Sequence, residues 1–151
     1  MEGFEHNYQN LLITGESGTG KTFLANCIAG ALLEKNIGVL YMPAYELFQL
    51  FSKATFSRGE EGRGAEEEKE IVYSADCLII DDLGTELTNA FVTSELFACI
   101  ERRHLAGKAT IITTNLSPAV INNRYSERIA SRLIGNYKFL VMPGKDNRIT
   151  E

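Results

Sequence analysis

The chain has no tryptophan, only three cysteines and three prolines, and no excess of basic charge. Each shortage narrows the field. Cys27, Cys77 and Cys99 form no C-x-x-C pair and make an odd count, so nothing points to a disulfide framework. Falling in an expected helix, strand and helix, they read as small core residues in a reducing cytosol. No apolar run approaches the roughly 20 residues that a transmembrane helix needs, and the start shows no signal-peptide pattern. The expectation is a soluble, cytoplasmic protein with no membrane partner. A net charge of −5 argues against a surface given over entirely to nucleic acid, while leaving room for local basic clusters that hold phosphate. There is no internal repeat and no low-complexity tract. With 151 residues, 44% hydrophobic and 23% charged, the chain suits one domain with a core of its own.

What is present is concentrated in Gly15-Glu16-Ser17-Gly18-Thr19-Gly20-Lys21-Thr22, which fits the phosphate-loop pattern G-x-x-x-x-G-K-[ST]. It lies between the apolar run Leu11 to Thr14 and the helix-like Phe23 to Glu34, the strand-then-helix setting this chemistry needs. Glycines let backbone N–H groups curl around an oxyanion, and the helix N-terminus adds its dipole at the same point. Lys21 then reaches the β- and γ-phosphates, and Thr22 ligates Mg²⁺. The cofactors implied are ATP or ADP with Mg²⁺. The plain alternative is a glycine-rich turn.

Along the chain, strand-type apolar segments alternate with segments of helical period, the signature of a parallel sheet flanked by helices. Strands are expected at Asn10 to Thr14, Ile37 to Met42, Cys77 to Ile80, Thr110 to Thr113 and Phe139 to Met142. Helices are expected at Lys21 to Lys35, Ala44 to Ala54, Ala65 to Ser74, Phe91 to Leu105 and Ser126 to Leu133, with Pro43 and Pro118 as breakers before helix starts. Ser57 to Glu70 mixes Gly59, Gly62 and Gly64 with six glutamates and reads as a mobile loop running into a solvated acidic helix.

The second chemical element is Leu78-Ile79-Ile80-Asp81-Asp82. An apolar strand buried on both faces delivers Asp81 to the carboxyl edge of the sheet, where open α/β sheets bind ligands. Asp81 is placed to hold the Mg²⁺ water shell, and Asp82 to polarise an attacking water as general base. Asp82 is one methylene shorter than the Glu usual in such ATPases, so hydrolysis is expected to be slow, or shared with Glu86. The bland reading is that both acids cap the loop before Gly84. A third element, Thr110-Ile111-Ile112-Thr113-Thr114-Asn115, ends at the same edge; Asn115 is either a γ-phosphate or water contact or an ordinary turn residue. Further on, Arg128 and Arg132 share one helix face, where guanidinium forks suit phosphate oxygens, or pair with Glu127 and other surface acids. Arg102-Arg103-His104 with Lys108 reads as a helix C-terminus complementing its dipole, with a subunit interface as the other role.

Together these residues resemble the AAA+ ATPases, in which the phosphate loop, the Asp-ended strand and the Asn-ended strand follow in this order. The match is closer to bacterial replicative helicase loaders of the DnaC/DnaI type and runs from Leu11 to about Arg148. It is carried by Leu78 to Glu86, Ile112 to Leu116 and the more specific Tyr125-Ser126-Glu127-Arg128-Ile129-Ala130-Ser131-Arg132-Leu133. The resemblance implies an α/β P-loop NTPase of AAA+ type, a three-layer sandwich on a five-stranded parallel sheet without a C-terminal helical lid. It makes Arg128 an arginine finger acting on a neighbouring subunit, which requires head-to-tail self-association, and Arg148 a γ-phosphate sensor. Lys53, Phe56 and Phe91 match positions that contact single-stranded DNA in such loaders, a cation for the backbone and aromatics for the bases; the bland reading is a solvated lysine and two core aromatics. The partners implied are single-stranded DNA and a DnaB-type helicase. The helicase contact is expected to need an N-terminal region, since only Met1 to Gln9, a remnant or linker, precede the ATPase domain at residues 10–151. An excised domain and a naturally short relative both fit. The expected function is an ATP-binding, ATP-hydrolysing replication protein. The alternatives are an IstB-type transposition helper acting on duplex DNA, a module that binds nucleotide without hydrolysing it, and, disfavoured by the paired Asp and Asn strands, a small-molecule kinase.

Overall fold

Five short runs rich in β-branched and aliphatic residues form one parallel sheet in this structure, a computed structural model that describes residues 9–144. They are β1 (Asn10–Thr14), β2 (Val39–Pro43), β3 (Cys77–Leu83), β4 (Ala109–Thr114) and β5 (Tyr137–Val141), ordered β2-β3-β4-β1-β5. Six helices connect or flank them: α1 (Lys21–Glu34), α2 (Ala44–Phe56), α3 (Gly59–Ser74), α4 (Ala90–Leu105), α5 (Pro118–Arg124) and α6 (Glu127–Asn136). The result is the expected three-layer α/β sandwich. Because β1 lies beside β4, the carboxyl ends of β1, β4 and β3 stand side by side, which is where such sheets open a ligand crevice.

Alternation along the strands builds a core on each face. Leu12, Leu78, Ile80 and Ile112 point into the larger one, with Phe51, Leu96 and Ile129 from the helices. Ile13, Cys77, Ile79 and Ile111 point the other way, against Ala25 of α1. Burial on both faces is why these strands read as continuous apolar runs. Each buried side chain of Leu or Ile size contributes about 1.5–3 kcal/mol. No helix among the described residues is long and apolar enough to cross a membrane.

Several boundaries shift by one to three residues, and one segment differs in kind. The expected loop shrinks to Ser57 and Arg58: the acidic helix begins at Gly59 instead of Ala65 and, as α3, runs unbroken to Ser74. Gly62 is buried where a Cβ would overlap the Ser57 carbonyl oxygen and stand 2.9 Å from its carbon, so a glycine that looks like a breaker allows α3 to fold back against the end of α2. The short α5 was marked only by its breaker; Ser117 caps it by accepting from Val120 N, with Pro118 in the first turn. Cys27 is exposed on α1, contrary to the core reading, whereas Cys77 and Cys99 are buried.

The basic cluster also divides. Arg103 is 0% exposed, and its guanidinium donates to Val72 O and Ala109 O at 2.7 Å and to Thr110 Oγ1 at 3.0 Å. It pins α3 and β4 to α4 from inside, and burial pushes its pKa down. Arg102 stays outside, its guanidinium 4.0 Å from the Tyr73 ring centroid.

Candidate nucleotide site

At the end of β1 the chain turns directly into the phosphate loop. Gly15 lies against the end of β5: Met142 N donates to Thr14 O at 2.7 Å, and a Cβ on Gly15 would stand 2.7 Å from Met142 O. Only glycine fits there, and Gly15, Gly18 and Gly20 all carry positive φ. Gly20 is the N-cap of α1, so the helix opens straight out of the loop and presents its first amides to it. Lys21 is 7% exposed; its ammonium donates to Gly15 O and Glu16 O at 2.8 Å each, which holds the charge at the loop. Thr19 Oγ1 also donates to Glu16 O, while Glu16 and Ser17 stay exposed at the rim.

β3 brings Asp81 to the same place. Thr22 Oγ1 lies 3.1 Å from both Asp81 carboxylate oxygens. Thr113 Oγ1, from β4, donates to Asp81 Oδ1 at 2.5 Å, and the Tyr41 hydroxyl, from β2, donates to Oδ2. A carboxylate 5% exposed is thus satisfied by hydroxyls on three different elements. Asp82 goes the opposite way. The register between β3 and β4 shifts past Ile80, Asp82 takes φ 61, and its N–H donates to Thr113 Oγ1 at 2.8 Å. This left-handed turn buries Asp81 and leaves Asp82 exposed on a cavity of about 360 Å³ shared with Ser17, Gly18, Lys21 and Thr22. Positive φ at a non-glycine residue costs of order 1 kcal/mol and concentrates at functional sites. Asn115, just after β4, reaches the phosphate loop with Nδ2 3.5 Å from Ser17 Oγ.

The donor set fits a metal–nucleotide pair. Mg²⁺ takes one or two protein oxygens and completes its octahedron with water and phosphate. Thr22 and Asp81 supply that minimum. No cluster of three or more His, Cys, Asp and Glu side chains occurs among the described residues, so an all-protein metal cage is not what the site offers.

Other expected site residues lie elsewhere. Arg128 is exposed over the Phe97 ring, 4.2 Å from its centroid, and lines a second cavity of about 580 Å³ with Asn89, Arg124 and Tyr125. The two cavities share no lining residue, so Arg128 is not brought to its own chain's phosphate loop. Arg132 pairs with Glu101 at 2.5 Å, which is the ion-pair alternative for that residue. Arg148 lies outside the described residues. Phe56 is 68% exposed, and its ring packs 5.1 Å from that of the half-buried Phe91; Lys53 is exposed one turn earlier on α2. Glu86 does not join the hydrolytic group. Its carboxylate accepts from Gly84 N and the Tyr125 hydroxyl, and its carbonyl accepts from Arg124, tying the loop after β3 to the end of α5.

Tyr41 and Thr113 were not singled out by the sequence. The available signal was positional: each is a hydroxyl near the carboxyl end of a strand bordering the Asp81 strand.

Residues 2–133 match the family of IstB-like ATP binding proteins. Among relatives, the replicative helicase loader DnaC of Buchnera aphidicola (subspecies Schizaphis graminum) is 27% identical over 92% of this chain and 56% of its own length. A putative insertion sequence ATP-binding protein of Sinorhizobium fredii is 30% identical over 93% of this chain and 57% of its own. The chain thus spans just over half the length of these curated relatives. A crystal structure of the DnaC helicase loader superposes with a TM-score of 0.77 at 26% identity, covering 94% of this chain and 85% of that one. The phosphate loop, the split Asp81–Asp82 pair and the matched span agree: this chain belongs to the IstB/DnaC/DnaI family of AAA+ ATPases, a family associated with replicative helicase loading or transposition.

Proposed function

We propose that this chain is a Mg²⁺- and ATP-dependent switch that assembles head to tail on single-stranded DNA and helps place a DnaB-type replicative helicase. ATP controls assembly, and hydrolysis triggers release. The observation that carries this reading is the Thr22–Asp81 pair, held at 3.1 Å beside Lys21, with Asp82 exposed on the same cavity. Lys21 and the α1 N-terminus bind the phosphates. Thr22 and Asp81 hold Mg²⁺, which when bound with nucleotide neutralises charge on the transferring phosphoryl group. Asp82 takes the proton of the attacking water, and Asn115 orients that water. Arg128 acts on the neighbouring subunit's site, consistent with its place in a separate cavity; Arg148 is assigned to γ-phosphate sensing. Lys53, Phe56 and Phe91 form the DNA face, where a paired aromatic surface 5.1 Å between centroids suits stacking on bases.

The second reading, a transposition helper on duplex DNA, is favoured by the family description and by the relative at 30% identity. Fluorescence anisotropy separates the two. Labelled single-stranded and duplex oligonucleotides are titrated with the protein plus ATP analogue, ADP or no nucleotide. Preference for the single strand with the ATP analogue supports the loader; preference for the duplex moves the case to the transposition helper. Equal, nucleotide-independent binding to both contradicts a switch.

A further inference from the structure

We propose that Tyr41 is a positioning residue for the metal carboxylate: together with Thr113 it fixes Asp81 in the orientation that Mg²⁺ binding uses. This rests on Thr22 and Asp81 being the metal pair. Asp81 lies on β3, and a hydroxyl reaches it from each neighbouring strand. Tyr41 on β2 donates to Oδ2, and Thr113 on β4 donates to Oδ1 at 2.5 Å. The carboxylate torsion is broad and roughly two-fold, so a carboxylate gripped at one oxygen can still swing. Gripped at both, it cannot. Thr22 Oγ1, equidistant at 3.1 Å from the two oxygens, then faces a carboxylate of fixed plane.

Packing does not account for a tyrosine at this position. β2 is an edge strand, and Tyr41 is 38% exposed. Phenylalanine would fill the same volume, and no hydroxyl is needed to pair the strand, whose register with β3 is set by backbone bonds from Val39 to Pro43. The hydroxyl donates to Asp81, the β3 residue assigned to the metal.

Tyr41→Phe removes one oxygen and keeps the ring. The test is anisotropy of a fluorescent ADP, first in excess EDTA and then across a Mg²⁺ titration, for wild type, Tyr41→Phe and, as the reference for lost metal response, Asp81→Asn. The expected result is an EDTA affinity within about two-fold of wild type and a Mg²⁺ midpoint raised about ten-fold or more, the scale of one lost hydrogen bond to a charged group. An unchanged or lowered Mg²⁺ midpoint overturns the proposal. So does an equal loss of affinity in EDTA, which would mark a purely structural role. Should wild type itself show no Mg²⁺ dependence, the metal reading of Thr22 and Asp81 fails first, and the proposal falls with it.

Discussion

Gly62 and Gly64 lie two residues apart on α3, and alanine is expected to act in opposite directions at them. A Cβ at Gly64 meets nothing within 4 Å, so Gly64→Ala gains helix propensity alone, about 0.5–1 kcal/mol. At Gly62 the same atom would overlap Ser57 O and come within 2.9 Å of Ser57 C. Those are backbone atoms of the turn joining α2 to α3, and they move only if the two helices part. Overpacking costs about 1–3 kcal/mol, and a backbone neighbour puts this site in the upper half of that range. Set against the propensity gain, Gly62→Ala loses about 1–2 kcal/mol net. In a chain of 151 residues, 1 kcal/mol moves Tm by about 3 °C. Melting followed by circular dichroism should show Tm rising by about 2–3 °C for Gly64→Ala and falling by about 3–6 °C for Gly62→Ala. Equal rises would refute the close approach of α3 to the turn. Equal falls would mean that residues 59–64 are not helical and that the loop reading was correct.

Arg103→Met strands Val72 O, Ala109 O and Thr110 Oγ1 in the interior and should cost about 3–5 kcal/mol by urea denaturation. Arg103→Lys should recover only part of this, since one ammonium cannot span partners on both α3 and β4; a loss below about 1 kcal/mol in either variant would contradict the buried clamp. Burial raises the Cys77 and Cys99 thiols to about 11 and about 12 from an ordinary 9.0, so they stay protonated where the unfolded chain's thiols ionise. Their contribution is complete below about pH 9 and lost as pH rises toward the folded values, at up to about 1.4 kcal/mol per pH unit per thiol. Cys99→Ala should therefore lose less stability between pH 8.5 and about 10.5 than wild type does; identical slopes would refute this. Arg128→Ala should leave nucleotide affinity unchanged while reducing hydrolysis by about 1,000-fold or more. Mixing it with Lys21→Ala subunits, which keep Arg128 but lack the phosphate-loop lysine, should restore part of the activity, and failure to do so contradicts action in trans.

The sequence was most legible where one residue type has one physical use. The glycines of the phosphate loop, the apolar run before Asp81 and the β-branched run before Asn115 place three strand ends at one edge, and the sheet assembles them there. It was least legible where a residue's role is set by how the elements pack against one another. Gly62 looked like a breaker because its partner, Ser57, is set by the fold-back of α3. Arg103 looked like a surface cation because α3 and β4, which surround it, are assembled only in the tertiary structure. Tyr41 was hidden for the same reason: its link to Asp81 spans 40 positions of sequence. Glu86 failed in the opposite direction, being near in sequence to the acids and turned away from them toward Tyr125.

In the proposed switch, nucleotide bound at the phosphate loop decides whether subunits join. Light-scattering mass, measured over a range of protein concentration with Mg²⁺ and ATP analogue, with ADP, and for Lys21→Ala, tests it most directly. For wild type with the ATP analogue the mass should climb with concentration, and in the other conditions it should stay that of the monomer. Monomer mass in every condition, while the analogue is shown to bind, would contradict it.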